Sequence, residues 1–151
     1  MFRGTYSVSL DAKGRLAIPA RFRERLPMAD GARLVFTPDP DRCLALYPEP
    51  EWMLIEQKLQ GLPSFNVAAR RLKRLLIGNA HDVDIDAQGR VLLPSKLRDY
   101  AGLQKRVAMV GQINKIEVWD EDVWNSRCDE WKDNIEINDL ASDGDLASLI
   151  L

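Results

Sequence analysis

The chain has 151 residues, of which 46% are hydrophobic, so it can bury the core of one compact domain or of two small joined ones. It lacks the ~18 apolar residues of a membrane span and the apolar core of a secretion signal, which predicts a cytoplasmic protein. The net charge of −2 argues weakly against a nucleic-acid partner. However, two regions are basic: residues 1–35 hold seven basic and three acidic side chains, and residues 66–106 hold nine basic and four acidic ones. Residues 117–151 are acidic, with two basic and eleven acidic side chains. The charge is therefore polarised, and the basic regions are compatible with an anionic partner.

The N-terminal pattern predicts a half-buried strand that ends in a tight turn. Apolar residues alternate with polar ones at Tyr6, Val8 and Leu10. In the following Asp-Ala-Lys-Gly-Arg run, the Asp11 side chain can accept a backbone N–H two residues on, and Gly14 supplies a backbone angle that residues with a Cβ resist. A return strand, RLAIP, is predicted to follow this turn.

A short helix, two strands and a longer helix are predicted to complete this first unit. Pro19 suits the first position of the short helix. The apolar face of that helix is formed by Ile18, Phe22 and Leu26. The strands are predicted at residues 33–36 and 43–47, and the longer helix begins at the sequence PEPEW. Its apolar positions are Trp52, Ile55 and Leu59.

A connector with a basic face follows the first unit. The sequence GLPSFN is a short linker, and NVAARRLKRLLIG predicts a helix that ends with Gly78 just beyond its last turn. Apolar residues of this helix lie on one side, at Leu72, Leu75 and Leu76. Basic residues lie on the other side, at Arg70, Lys73 and Arg74. These cations are either a solvated face or phosphate contacts.

The first unit then repeats. The sequence DAKGRLAIPARFR of residues 11–23 returns as DAQGRVLLPSKLR in residues 86–98, an offset of 75. Farther on, LVF of residues 34–36 matches AMV of residues 108–110 loosely, and CLALYPEPEW matches KIEVWDEDVW at an offset of 72. The first copy therefore has three extra residues, which we expect in the turn of residues 37–42.

The duplication predicts how the chain is organised. We expect repeat 1 over residues 5–52, a helical connector over 53–80, repeat 2 over 81–124, and a C-terminal helix and acidic tail over 125–151. Copies of about 45 residues are too small to be stable alone, so they should share one core. The last helix should bury the side chains of Trp124, Cys128 and Trp131.

Three parts of the sequence resemble the MraZ family: the N-terminal MFRGTYSVSLDAKGRLAIP, the two Asp-x-x-x-Arg motifs, and the connector GLPSFNVAARRLKRLLIGNA. The resemblance covers essentially the whole chain. It implies an α+β, mainly β fold in which tandem SpoVT-AbrB repeats form a pseudo-dimeric swapped-hairpin β-barrel with peripheral helices. It also implies a bacterial regulator, nucleoid-associated, that assembles into homo-oligomeric rings. Such a ring would bind short tandem boxes of double-stranded DNA and repress its own operon in the division and cell-wall gene cluster.

Arg15 is the first candidate for a DNA contact. At the apex of a turn its guanidinium can contact phosphate or read guanine in a major groove. The alternative role is an ion pair with Asp11 across the turn. The first copy is the more cationic, because Lys13 becomes Gln88 and Arg21 becomes Lys96 in the second.

We therefore predict one main DNA-binding patch, with the second copy as its symmetric partner and assembly surface. The patch consists of Arg3, Lys13 and Arg15. Weaker DNA-binding candidates are Arg90, Arg70 and Arg74. The residues expected to shape the two turns are Asp11, Gly14, Asp86 and Gly89.

Other classes of function fit the sequence less well. A ring-forming scaffold could use the same basic patches for acidic partners. An AbrB-like antitoxin is normally a single copy, which the duplication argues against. An enzyme is least favoured, because His81 lies on a predicted strand without a nucleophile motif. Cys43 and Cys128 lack the spacing of a zinc site or disulfide framework, so we expect no catalytic residue, metal, cofactor or small-molecule substrate.

Overall fold

The computed structural model describes residues 1–26 and 33–134, where the same series of strands and helices occurs twice. The first copy contains β1 Thr5–Ser9, β2 Arg15–Ala17, α1 Ala20–Arg23, β3 Arg33–Pro38, β4 Leu44–Pro48 and α2 Glu49–Gln60. The connector helix is α3 Val67–Gly78. The second copy contains β5 His81–Asp84, β6 Arg90–Leu92, α4 Ser95–Tyr100, β7 Arg106–Gly111, β8 Ile116–Asp120 and α5 Glu121–Asn134. The chain divides into two compact units, Met1–Glu121 and a second one that begins at Asp122. The acidic tail predicted beyond residue 134 lies outside the described residues.

The strands of the two copies are interleaved in two antiparallel sheets. One sheet has six strands in the order β1-β7-β8-β4-β3-β5, and the other pairs β2 with β6. The strand order is symmetric: if each strand is replaced by its counterpart in the other copy, the same order is obtained in reverse. Four of the pairings join one copy to the other: β1 with β7, β4 with β8, β3 with β5, and β2 with β6. The fold is thus α+β and mostly antiparallel strand. In the described residues, β1 and β5 remain the two ends of the larger sheet, so its hydrogen bonds do not close a barrel.

The strand register defines a pseudo-twofold axis and corrects the alignment of the copies. The axis passes where Ala45 pairs with Glu117, and also where Leu16 pairs with Val91. The pairs Ser9 with Arg106 and Asp84 with Arg33 are equivalent, so β3 and β7 correspond at an offset of 73. The match of residues 34–36 with 108–110 is therefore one residue wrong.

The extra residues of the first copy also lie elsewhere than predicted. Nine residues separate Arg23 from Arg33, whereas seven separate Arg98 from Arg106. Two of the three extra residues therefore precede β3, and only one falls in the turn between β3 and β4. The sequence could not distinguish these places, because both stretches connect elements and tolerate insertions.

Both copies contribute to one apolar core. Its fully buried members include Leu16, Phe22 and Phe36 from the first copy and Val91 and Met109 from the second. The Phe22 ring meets the rings of Phe2 and Tyr6 edge to face. A smaller cluster places Trp52 of α2 against Tyr47, Val35 and Ala45 on the other face of the sheet. Neither copy could bury its apolar face without the other.

The helices depart from the sequence predictions in three ways. Pro19 and Pro94 are the residues that precede α1 and α4, not their first helical residues. Gly78 is the last residue of α3 and not the residue after it, which is Asn79. The side chain of Asn66 accepts a hydrogen bond from the Ala69 N–H and caps the start of α3.

The predicted burial of the C-terminal helix is wrong. In α5, Trp124 and Cys128 are only half-buried and Trp131 is 44% exposed. The rings of Trp124 and Trp131 pack edge to face, with centroids 5.8 Å apart. Helical spacing correctly placed the two tryptophans on one face, but periodicity does not determine how far that face is covered. None of the helices in the described segments is long and apolar enough to cross a membrane.

Candidate nucleic-acid interface

The two-stranded sheet of β2 and β6, here called the ribbon, displays two arginines on one face. Arg15 pairs with Leu92 and Arg90 pairs with Ala17. Residues that pair across a ribbon, or lie two apart along a strand, project to the same side. The intervening residues Leu16 and Val91 are 0% and 1% exposed, so their side is the inner one. Arg15 and Arg90 therefore share the outer face, about 8 Å apart between Cα atoms from standard strand spacings.

The first turn, residues 11–15, holds Arg15 through the carboxylate of Asp11. One oxygen of Asp11 accepts the backbone N–H groups of Lys13, at 2.9 Å, and of Arg15, at 2.8 Å. The other oxygen accepts the Arg15 Nε–H at 2.7 Å. Gly14 has φ 82°, a conformation that residues with a Cβ rarely adopt. These bonds fix the guanidinium relative to the turn.

The second turn, residues 86–90, repeats this geometry around Asp86. Its carboxylate accepts the backbone N–H groups of Gln88 and Arg90 at 2.9 Å, and the Arg90 Nε–H at 3.0 Å. Gly89 has φ 77°. The side chain of Gln88 also accepts a bond from Arg90 Nη2, at 3.3 Å. Lys13 occupies the equivalent position in the first turn, so that turn gains a cation where the second has a neutral acceptor.

Backbone and ionic contacts keep both aspartates charged. The pKa of the Asp11 carboxyl is lowered, first by the backbone N–H of Arg15 and then by its guanidinium. The pKa of Asp86 is lowered in the same way by Arg90. The predicted alternative, an Asp11–Arg15 ion pair, is thus present in the structure. It engages only Nε, so the two terminal nitrogens of each guanidinium still offer N–H donors to another group.

The two turns are joined across the copies. The carbonyl of Gly89 accepts the Ile18 N–H at 2.9 Å, and the carbonyl of Gly14 accepts the Leu93 N–H at 2.8 Å. Arg23 of the first copy lies so close to Gly89 that a Cβ there would be 2.8 Å from the arginine Cδ. This third arginine is not among the site residues that the sequence predicts. The repeat did show that Arg23 matches Arg98, but it could not show a contact that crosses from one copy to the other.

Lys13 and Arg3, the other two members of the predicted patch, lie in different places. Lys13 is exposed in the first turn, beside Arg15. Arg3 precedes Asp11 by eight residues in a segment paired with residues 105–113, from the Phe2–Ile113 bridge to the bond between Leu10 N and Lys105 O. An extended segment of that length spans about 25 Å. The three residues therefore do not form one compact patch, because Arg3 is at the opposite end of β1.

The basic residues of α3 form a separate surface. Arg70, Lys73 and Arg74 line a groove of about 430 Å³ together with Leu62 and neighbouring linker residues. Arg70 Nη1 donates to the carbonyl of Ser64 at 3.1 Å. The residues that line this groove include none from the ribbon. These candidates therefore line a different surface feature from the two turns.

Two acidic side chains and one thiol form a cluster whose negative charge is partly balanced by a nearby lysine. The ligand atoms of Asp39, Cys43 and Glu117 lie within 4.8 Å of one another. Lys115 Nζ is 3.9 Å from an Asp39 oxygen and 3.7 Å from a Glu117 oxygen. Burial raises the pKa of the Cys43 thiol, which opposes the thiolate that a metal would need. The lysine already supplies a counter-charge, so these groups are better explained as an ion-pair cluster.

Fold and interface together define a class: an internally duplicated α+β protein that presents two aspartate-held arginines on one ribbon. The family described as "MraZ protein, putative antitoxin-like" matches this chain twice, over residues 1–75 and 76–141. The chain belongs to the MraZ family.

Curated relatives match over most of the chain. A protein of Thioalkalivibrio sulfidiphilus is 55% identical over 131 residues, which is 87% of each chain. One of Legionella pneumophila strain Corby is 54% identical over 132 residues, again 87% of each chain. One of Halorhodospira halophila is 50% identical over the full length of both. Each of the three is named "Transcriptional regulator MraZ".

Proposed function

We propose that this protein is a transcriptional regulator that binds double-stranded DNA with the outer face of the ribbon. The single observation that carries the proposal is the placement of Arg15 and Arg90 on that face, each held by an aspartate. The names of the relatives support the regulatory role.

The dimensions of the ribbon suit a DNA groove. The major groove of B-DNA is ~12 Å wide and admits a two-stranded ribbon. A guanidinium can donate to two acceptors of guanine or to a phosphate, and a charged residue held in place loses little side-chain freedom on binding. The pseudo-twofold axis between Leu16 and Val91 relates the two arginines much as a local dyad relates the two DNA strands. Each turn would then contact one half of a short DNA box, with Lys13 adding charge to the first half only.

The finer parts of the proposal concern assembly and targets. We expect the interleaved copies to form the pseudo-dimeric swapped-hairpin barrel of SpoVT-AbrB proteins, and protomers to assemble into a ring. Exposed apolar side chains on the surface of α2 and the linker favour such association, since Phe65 is 96% exposed and Met53 and Leu54 are more than half exposed. A ring binds tandem boxes with avidity that exceeds single-box affinity by ~10² to 10⁴ when the spacings agree. Occlusion of a promoter upstream of its own gene, in a division and cell-wall cluster, would then repress transcription in the nucleoid.

Footprinting the purified protein on DNA upstream of its own gene tests the proposal. We expect protection of regularly spaced short boxes, with binding that weakens steeply as salt rises. Duplexes with one, two and three boxes should show increasing affinity. Equal affinity for one box and for three would contradict the avidity mechanism, and salt-insensitive or sequence-independent binding would favour a ring-forming scaffold instead.

A variant of α3 provides a matched control for charge. Replacing Arg70, Lys73 and Arg74 by Gln removes three cations from a surface that lies apart from the ribbon. We expect DNA affinity and its salt dependence to stay near wild type. A clear fall in the salt slope would instead assign phosphate contacts to α3.

A further inference from the structure

Three arginines meet in a groove at the start of the chain, and none of the residues that line it belongs to the ribbon. This N-terminal groove has a volume of about 360 Å³ and is lined by Met1, Arg3, Tyr6, Arg21, Phe22 and Arg25. None of these six residues is acidic. Three like charges around one small concavity repel one another, so an anion with several oxygens is the complement that would relieve them.

The backbone that carries Arg3 is fixed in place. Terminal residues are usually poorly ordered unless they are tied down. Here Phe2 is 4% exposed, and it exchanges two backbone hydrogen bonds of 2.8 Å with Ile113. Gly111 makes this close approach possible, because a Cβ on it would lie 2.6 Å from the Arg3 Cα. Arg3 is therefore held at the rim of the groove before any ligand binds.

The opposite side of the groove is also built from buried structure. Phe22 of α1 is 1% exposed, which anchors the flanking residues Arg21 and Arg25. Arg25 Nη1 donates to the Met1 carbonyl at 3.3 Å and so reaches across to the N-terminal segment. The Tyr6 ring packs on Phe22 with centroids 5.0 Å apart. The cations are thus presented on a rigid floor, as a binding site requires.

The second copy does not repeat the three arginines of this groove. Positions equivalent to Arg3, Arg21 and Arg25 at the offset of 75 are Gly78, Lys96 and Tyr100. Gly78 ends the helix α3, whereas Arg3 belongs to an extended segment. Of the three arginines, only Arg21 has a cationic counterpart, Lys96, in the second copy, so this cluster of charge breaks the pseudo-symmetry.

We propose that the N-terminal groove binds a backbone phosphate of the same DNA that the ribbon contacts, and that this one-sided contact sets the orientation of the protein on its box. The inference rests on the proposed function. Arg3 lies about 25 Å from Asp11 along β1, a distance that corresponds to about 7 base pairs of duplex. A phosphate that flanks the box on one side is therefore within reach. Lys13 in the first turn and Gln88 in the second already make the ribbon slightly asymmetric. The groove would add a larger preference for one direction on a near-symmetric box.

The test uses the full chain, single-box duplexes with long or short flanks, and two groove variants. In the first, Arg3, Arg21 and Arg25 are all replaced by Gln; in the second, only Arg21→Gln is made, which leaves the bond from Arg25 to Met1 intact. Lys96→Gln is the matched control, because it removes an exposed cation at the equivalent helix position of the second copy. On long flanks we expect both groove variants to lower affinity and to reduce the salt slope by about one for each phosphate that the groove no longer binds. On short flanks, wild type and groove variants should bind alike.

Orientation is measured by hydroxyl-radical footprinting on the long duplex. Wild type and Lys96→Gln should protect one flank more than the other, and the triple variant should show a clearly smaller difference between the flanks. Unchanged asymmetry, an unchanged salt slope, or an equal loss of affinity on short and long flanks would overturn the inference. So would free nucleoside triphosphate that binds the DNA-free protein through the groove while the salt slope on DNA stays unaltered. Failure of the proposed function looks different, since wild type would then bind none of the duplexes specifically.

Discussion

The first and second copies differ most at their beginnings and least where they pair with each other. Residues 1–4 form an extended segment against Ile113, whereas the equivalent residues 76–79 end the helix α3. In contrast, the two turns match bond for bond around Asp11 and Asp86. The pairing of β2 with β6 constrains both turns together, because each Gly carbonyl accepts a bond from the other copy. In this duplicated chain, the two copies have kept the same structure where they bond to each other and differ where they do not.

The largest effect should come from the shared core, where the two copies are most alike. Phe22→Ala and its counterpart Leu97→Ala each remove a side chain that is no more than 3% exposed. We expect losses of about 3 to 5 kcal/mol for the phenylalanine and 2 to 5 kcal/mol for the leucine. Both variants should unfold in one transition over the Met1–Glu121 unit, followed by circular dichroism in urea. Two separate transitions, one per copy, would show that the copies do not share a core.

Substitutions in the turns should have the next largest effect on stability. Within one turn, Asp11 tests the contribution to folding and Arg15 tests the contribution to DNA binding. Asp11→Ala removes three hydrogen bonds from the first turn, whereas Arg15→Ala removes only the one made by its side chain. We expect the aspartate variant to have the lower melting temperature. Arg15→Ala should stay close to wild type, since an arginine pair that is about one third exposed and open to solvent adds little stability.

Low pH should reduce the contribution of the Asp11 carboxylate to the stability of the fold. Its pKa is lower in the folded chain, so its stabilisation is fully present above the ordinary carboxyl value of 3.8 and is lost as pH falls through the folded value. The gap in melting temperature between wild type and Asp11→Ala should be constant from pH 7 to about pH 5 and should narrow below about pH 4. A gap that does not depend on pH would mean that Asp11 acts through its shape and not its charge.

Two glycines should give contrasting effects: Gly111, which packs against residues 1–4, and Gly78, which lies within the equivalent residues 76–79. A Cβ on Gly111 would meet the backbone of Phe2 and Arg3, whereas one on Gly78 would meet nothing within 4 Å. Gly111→Ala should cost about 1 to 3 kcal/mol and displace the N-terminal segment. Gly78→Ala lies at the end of a helix and should be neutral or stabilising by up to about 1 kcal/mol. Thermal denaturation of both variants measures the difference, and equal effects would contradict the close packing of residues 1–4.

The sequence predicted the parts of this molecule that depend on local chemistry. Alternation located β1, and the Asp-x-x-Gly-Arg pattern predicted a turn in which Asp11 bonds the backbone two residues on. The internal repeat predicted that β1 and β5 begin equivalent units. The repeat also predicted that the copies share one core, but it could not predict which strands pair, because a repeat shows which segments are alike and not which ones meet. The common face of Arg15 and Arg90 and the contact of Arg23 with Gly89 both depend on that pairing.

The structure separates two members of the predicted patch. Arg3 and Arg15 were predicted to lie in one patch because the first copy is the more cationic. The structure keeps the intervening segment extended and paired through Leu10, which separates the two cations. Gly111 shows the same limitation, since the reason for a glycine there is a backbone more than a hundred residues away.

The central claim is that the two turns form one DNA-binding surface. It is tested most directly by measuring the affinity of Arg15→Ala and Arg90→Ala for a single-box duplex over a range of salt concentrations. The account predicts that each variant keeps its fold, loses affinity by roughly 5- to 150-fold, as expected for about 1 to 3 kcal/mol per arginine contact, and lowers the salt slope by up to about one. Undiminished binding by a folded Arg90→Ala variant, alongside a loss for Arg15→Ala, would contradict a shared surface.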